Sequence, residues 1–262
     1  TDPGSVWTNY CSRFDVGTGG RYNSMVVSNG GVVYVASASY IGYNAGATGN
    51  YVIVTGNGSL WTNNGLLKVG YQGSYNQMII VNSGRVSTAG TWIGETMGAH
   101  SNGVTVSGAG SLWDLRGGNL TNGTAGNWGN AVTVCPGGVI TNIATLTVNA
   151  SNAVNVFGGT LAVNTLTMQP NAQVGVDVVT PGNLAALNAT VNGYVCPTNL
   201  PRTGRVGPQV FLTCSGTLSG NLSVGLLPPG YSGTLTTNLL SSPKEIALFK
   251  KGPSPSTVLF IR

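Results

Sequence analysis

Formal charge is scarce in this chain. Only 6% of its 262 residues are Asp, Glu, Lys or Arg, against about 25% in typical domains. Six acids leave little material for a pair of facing carboxylates or a carboxylate cage for a metal. The 11 bases are scattered except at Lys244, Lys250 and Lys251, so the net charge of +5 reflects the shortage of acids. Nucleic-acid binding needs a clustered basic face, and no nucleic-acid partner is expected. There is one histidine, His100, and no cysteine pair at CxxC spacing, which excludes the usual zinc sets. No apolar run approaches the ~18 residues of a membrane-spanning helix. No leader segment is visible, and a chain opening at Thr1 without Met reads as a processed product. No segment carries a sustained 3.6-residue period, so helices are absent from the expected fold. No cofactor is expected.

What is abundant is glycine, 41 of 262 residues, together with Asn, Ser and Thr. These residues suit turns and strand faces. They are arranged in a repeat of about 26 residues. Six apolar strands each run into a Gly-bearing corner: MVVSNGG from Met25, YVIVTGNG from Tyr51, MIIVNSG from Met78, VTVSGAG from Val104, VTVCPGG from Val132 and VNVFGG from Val154. The last valines of these runs are Val27, Val54, Val81, Val106, Val134 and Val156. A fixed period in this range indicates a stack of like units.

A second apolar anchor precedes each of these strands: Val16, Ile41, Val69, Ile93, Leu120 and Leu146. The first four run directly into Gly17, Gly42, Gly70 and Gly94. A third short strand follows each Gly corner, as in VVYV from Val32 or SLW from Ser59. Three short strands per turn, joined by Gly and Asn corners that tolerate positive φ, predict an all-β parallel β-helix, or β-solenoid. A double period lies on top. Trp7, Trp61 and Trp113 recur in GSVWT, GSLWT and GSLWD, two coils apart each time. Packing within the stack is the favoured reading, and an aromatic strip for sugars the alternative.

The pattern decays after Gly158, and Thr180-Pro181-Gly182 marks a break. The expected organisation is solenoid repeats over 1–180 and a β-rich C-terminal domain, or modified solenoid end, over 181–262. The last two strands there, EIALFK (Glu245 to Lys250) and TVLFIR (Thr257 to Arg262), flank the Pro/Gly loop KGPSPS.

The string GSLW, then VG or IG, then VVSNGG or IIVNSG, then VTVSGAGSLW, resembles the passenger-type repeats of bacterial autotransporter-associated surface proteins. The resemblance spans roughly Pro3 to Val179, and LPPGYSGTL (Leu227 to Leu235) looks like the ends of their C-terminal repeats. It implies secretion, a right-handed parallel β-helix, and a role in adhesion, surface display or a stalk. It implies no fixed chemistry. The chain departs from the family in that no membrane-spanning barrel follows.

Parallel β-helices also include polysaccharide lyases and glycoside hydrolases, and glycoside hydrolysis needs two facing carboxylates. Asp15 and Glu95 both lie beside the VG/IG anchor, but about three coils or ~14 Å apart at one strand spacing per coil. That is too far for a pair. His100 sits in the loop sequence GAHSNG, where solvation is the ordinary state of a lone histidine. No nucleophile motif is present. No catalytic or metal residue is assigned. The sequons at Asn57, Asn119, Asn122, Asn149, Asn188 and Asn221 read first as corner residues.

Four cysteines in a Lys-poor, Gly/Asn/Thr-rich chain suit an extracellular or cell-surface protein. Cys196 and Cys214 are expected to pair within the chain. Cys11 and Cys135 lie nearly five coils apart, about 23 Å, beyond the ~7 Å Cα separation of a disulfide. Each is expected to be free or bonded between subunits. The repeat begins at Gly4 with no capping segment ahead of it. An open solenoid end invites head-to-tail stacking into a filament. Val6 and Trp7 at one end, and Val258, Leu259, Phe260 and Ile261 at the other, are the candidate assembly residues. The first reading is a non-catalytic secreted structural protein that binds itself. The alternatives are a glycan-binding adhesin or a viral tailspike-like helix and, after these, a polysaccharide lyase.

Overall fold

The computed structural model describes residues 3–200, 205–227, 231–238 and 243–251. Val258, Leu259, Phe260 and Ile261 lie outside these described residues. The fold is an all-β parallel β-solenoid of about eight turns, with about 26 residues per coil and no helix among the described residues. One complete coil consists of Ser24–Val27, Val32–Val35 and Ala38–Ile41; the next consists of Tyr51–Thr55, Leu60–Asn63 and Leu67–Val69. Each strand pairs in parallel with its counterpart one coil on: Ser24–Val27 with Tyr51–Val54, Val32–Val35 with Leu60–Asn63, and Ser39–Ile41 with Leu67–Val69. The strands are short runs of Val, Ile and Thr, whose branched side chains pack well on a pleated surface. Only their inward face is buried, so burial alternates along each strand: Val52, Val54, Met78 and Ile80 are sealed, whereas Ile53 and Ile79 between them are half-exposed.

Three of the expected anchors shift by register. Val54 pairs with Ile80, and Ile80 with Val106, so the inward residue of the fourth coil is Ile80 and Val81 points outward. MIIV carries apolar residues on both faces, which hid the parity. In the second column, Ile93 pairs with Asn122 and Asn122 with Val148. Leu120 and Leu146 are also buried, but they belong to the column two residues earlier. A buried asparagine therefore stands where Val16, Ile41, Val69 and Ile93 stand, and it too is followed by glycine, Gly123.

The tryptophan double period is real in space. Trp7 pairs with Val33, Val33 with Trp61, Trp61 with Val86, and Val86 with Trp113. Trp61 and Trp113 are fully buried, so this column packs the interior. Trp7, in the first described coil, is 45% exposed, and Val6 beside it 66%.

After Leu120–Asn122 the corner between two of the three strands straightens. Val139–Val148, Thr160–Met168 and Asn183–Val191 are single long strands paired in parallel. Parallel pairing continues past residue 180: Gln173–Asp177 with Tyr194–Thr198, and Gly193–Val195 with Leu222–Val224. The direction then reverses. Lys244–Lys251 runs antiparallel to both Arg205–Cys214 and Ser232–Asn238.

Two columns fix one corner of every coil. In the first, Asn23, Asn50, Asn76, Asn102, Asn130 and Asn152 stack one above another. The Oδ1 of each after Asn23 accepts two hydrogen bonds from the asparagine of the preceding coil, one from its backbone N–H and one from its Nδ2, at 2.8–3.1 Å. All but Asn23 are buried. The glycine that follows the second anchor makes room for this ladder. At Gly70 (φ 72°) an added Cβ would lie 2.2 Å from Asn102 Cγ, a separation that real side chains do not reach. In the second column, the residue just before each ladder member has positive φ: Tyr22 57°, Gly49 68°, Tyr75 60°, Ser101 56°, Gly129 71° and Ser151 60°. Glycine adopts this conformation freely, whereas a non-glycine residue is strained there by about 1–2 kcal/mol.

Candidate functional site

The solenoid carries two surface clusters outside its core. The first lies on the face formed by Arg13–Val16, Ala38–Ile41 and Leu67–Val69. Register places Asp15, Tyr40 and Lys68 in one outward column. Tyr43 and Tyr71 follow the adjoining glycines, and the backbone N–H of Tyr71 bonds to Gly42 O one coil away. The three tyrosine rings meet at centroid distances of 4.8, 5.1 and 5.7 Å. The Arg13 guanidinium sits 4.0 Å from the Tyr43 centroid, and Lys68 Nζ 4.8 Å from that of Tyr71. Arg13 also pairs with Asp15 at 2.7 Å, and Lys68 with Glu95 at 2.8 Å. Both cations are thus engaged by a carboxylate and by rings at once. Such contacts are worth about 0.5–1 kcal/mol each at exposed sites, and they clamp neighbouring coils together.

The second cluster lies on the corner carrying the asparagine ladder. Tyr22 is 77% exposed, Tyr75 55% and Trp128 53%. The His100 ring stacks on Trp128 with centroids 4.2 Å apart and planes 9° from parallel. Tyr75 meets the other side of His100 edge-on at 5.1 Å. Backbone bonds hold these residues one coil apart: Tyr75 N–H to His100 O, and Ser101 N–H to Trp128 O. His100 Nδ1 lies 3.2 Å from Ser101 Oγ. His100 is therefore a half-buried member of an aromatic ridge, not a solvated loop residue. The motif GAHSNG gives no sign of this. The signal lies in the period, since Tyr75, His100 and Trp128 sit one repeat apart.

Among the described residues, the acids gather nowhere. Asp114 accepts from Arg116 N–H and Asn142 Nδ2 at 2.8 and 2.9 Å. Asp177 accepts from the backbone N–H groups of Val179 and Thr180 at 2.8 and 3.0 Å, and from Asn199 Nδ2. Burial pushes the Asp177 carboxyl up, but these donors together outweigh it and hold the group below its ordinary value. Among the described residues, no three of His, Cys, Asp or Glu converge as metal ligands. A concavity of about 360 Å³ is lined by Val191, Leu218, Leu222, Leu235 and Ile246 with Ser219, Gly220 and Asn221, none of them an acid or a base.

The cysteines depart from expectation. All four are free thiols. Cys196 and Cys214 do not pair, because Cys196 lies beside Gly175 in one sheet and Cys214 beside Ala186 in the other. Cys214 is buried, its Sγ donating to Leu187 O and Thr217 O at 3.3 and 3.2 Å. Cys11 is exposed, and Cys135 is half-buried. Of the sequons, Asn122 is sealed in the core, whereas Asn57 and Asn119 are exposed at corners.

No family model matches the chain, and no curated protein matches it. Among solved structures it is similar to the crystal structure of the TibC-catalyzed hyper-glycosylated TibA55-350 fragment. The identity is 18% and the TM-score 0.27, over 86% of this chain and 92% of that one. A likeness that loose carries no argument about partner or chemistry.

Proposed function

We propose that the chain is the non-catalytic rod of a secreted, surface-displayed protein, with an adhesive or structural role. The observation that carries this reading is the fate of its carboxylates. Asp15, Glu95, Asp114 and Asp177 are each held by a cation or by hydrogen-bond donors beside them. None faces a second acid across a cleft, as acid–base cleavage of a polysaccharide requires. The test is release of reducing ends or unsaturated products from neutral and acidic polysaccharides. No release is expected, and turnover abolished by substituting any one of these four acids overturns the reading.

Extension of the rod by coil-on-coil stacking is the finer part of the proposal. Trp7 exposes apolar surface at a position that is buried in every later coil, and Val6 lies beside it in the column that faces outward. A neighbouring coil, from the same polypeptide or from a second copy, fits that face. Sedimentation of the purified chain across a wide concentration range tests the second copy. A species that stays monomeric, with no fibres by electron microscopy, refutes self-stacking and leaves the non-catalytic reading standing.

A further inference from the structure

Six asparagines in this chain directly precede glycine: Asn29, Asn57, Asn64, Asn102, Asn122 and Asn192. Such a pair carries a reactivity of its own. The backbone nitrogen of the glycine can attack the asparagine carboxamide carbon, because the glycine has no side chain to hinder the approach. In a folded chain two conditions govern the step. The carboxamide must be free to turn, and the glycine N–H must not be tied up in a hydrogen bond.

Five of the six pairs are held. Asn102 and Asn122 are buried, and the N–H groups of Gly103 and Gly123 donate to Asn76 O and Ile93 O at 2.9 and 2.7 Å. Gly65 N–H donates to Ser37 O at 3.2 Å, and the Asn64 carboxamide is fixed between Tyr34 Oη and Arg116. Gly193 N–H reaches Asn221 O at 3.4 Å, while Asn192 Oδ1 accepts from Asn221 N–H. Asn29 is exposed, but Gly30 N–H donates to Ser59 Oγ at 3.0 Å. Asn57 differs from all of these. It is exposed at the centre of the turn that Ser59 N–H closes on Gly56 O. Among the described residues, neither its carboxamide nor Gly58 N–H has a hydrogen-bond partner.

The double period explains the exception. Ser5, Gly31, Ser59, Gly84 and Ser111 stand in one column, each carbonyl accepting from the strand of the next coil. A serine in this column reaches back one coil to a corner N–H: Ser59 Oγ to Gly30, and Ser111 Oγ to Ser83. The coil after Gly58 offers Gly84 instead, which has no hydroxyl. No side chain fits there, since an added Cβ would lie 2.1 Å from Val54 O.

We propose that Asn57 is a self-modification site, converted through a cyclic imide to aspartate and isoaspartate with water as the only co-reactant. The Gly58 nitrogen gives up its proton and bonds to Asn57 Cγ. The Cγ–Nδ2 bond breaks, and the amide nitrogen leaves with that proton as ammonia. Water then opens the five-membered ring at either carbonyl. The product carries one carboxylate on a corner where residues 28–31, 55–59 and 81–84 include no Asp, Glu, Lys or Arg. The loss of ammonia makes the change one-way, so it accumulates with the age of the chain.

The experiment ages the intact chain in mildly alkaline buffer, folded and in urea, and follows each Asn-Gly pair by peptide mapping and mass spectrometry. In the folded chain Asn57 should convert about tenfold or more faster than Asn29 and Asn64, the rate equivalent of one retained hydrogen bond. In urea the three should react alike, because their sequence context is the same. Ser59→Ala supplies the second arm. It removes the acceptor of Gly30 N–H, so Asn29 should accelerate about tenfold while Asn57 keeps its parent rate. Circular dichroism shows whether that variant folds; if it does not, the comparison of folded and unfolded parent chain still decides. Equal rates for Asn57, Asn29 and Asn64 in the folded chain, the same ranking in urea as in the folded state, or Asn29 unmoved in folded Ser59→Ala each overturns the proposal.

Discussion

Truncating Asn102 to Ala strikes the asparagine ladder at its middle. Four hydrogen bonds vanish. Asn102 Oδ1 no longer accepts from Asn76 N–H and Nδ2, at 2.9 and 3.1 Å, and its Nδ2 no longer donates to Gly73 O and Asn130 Oδ1, at 3.0 and 3.1 Å. Two of the affected groups keep other partners. Asn76 Nδ2 still reaches Ala47 O and Ser74 O, and Asn130 Oδ1 still accepts from Asn102 N–H. The Asn76 backbone N–H and the Gly73 carbonyl lose the partner they have in the ladder. Orphaning a buried polar group costs about 1–3 kcal/mol, so the variant should lose about 2–6 kcal/mol. Gly70→Ala should cost about 1–2 kcal/mol for its positive φ, plus the overlap of its Cβ with the Asn102 carboxamide. Removing that carboxamide removes the overlap. The double variant should therefore be less destabilised than the sum by about 0.5–3 kcal/mol. Solenoids unfold in segments, so the assay is urea denaturation together with amide exchange at Asn76. An Asn102→Ala cost below about 1 kcal/mol, or strict additivity with Gly70→Ala, refutes the reasoning.

Other variants probe separate parts. Trp113 Nε1 donates to Thr88 Oγ1 at 3.2 Å, whereas Trp61 Nε1, at the equivalent place two coils earlier, is buried without a partner. Register puts Val35 where Thr88 stands. Val35→Thr should stabilise by about 1 kcal/mol and Thr88→Val destabilise by about 1–3 kcal/mol, both read by urea midpoints; equal effects in the same direction contradict this. The Asp177 carboxyl is held below its ordinary value of 3.8. Its contribution is thus full above that pH and drains away as pH falls through the lower native value. Asp177→Asn should flatten the acid limb of the stability profile below about pH 4, and an unchanged limb counts against the capping role. Thiol labelling should find Cys11 fast, Cys135 and Cys196 slower because burial pushes both thiols up, and Cys214 silent until unfolding. A non-reducing gel on the same samples shows whether Cys11 links two copies.

The period and its Gly corners were legible because each coil repeats one packing problem. The parity of single residues was not. MIIV offers apolar side chains to both faces, so only the pairing of Ile80 with Val54 and Val106 decides which points inward. The ladder escaped notice although its members recur with the period, because asparagine is common at every corner and a buried one looks like an exposed one in sequence. The same blindness applied to His100, read alone in its loop when its partner Trp128 stands one repeat later. Cys196 and Cys214 looked close along the chain, but a coil carries them to different sheets.

The asparagine column also acts as a gauge of alignment between coils. Strands built from alternating Val and Thr present nearly the same inward pattern after a slip of two residues, so burial alone discriminates weakly among such alignments. A carboxamide has no such tolerance. Shifted by two residues, each Oδ1 would face no donor pair, and the error would repeat in every coil from Asn50 to Asn152. A wrongly wound chain is thus penalised in proportion to its length, and a coil can be gained or lost only as a complete unit carrying its own asparagine.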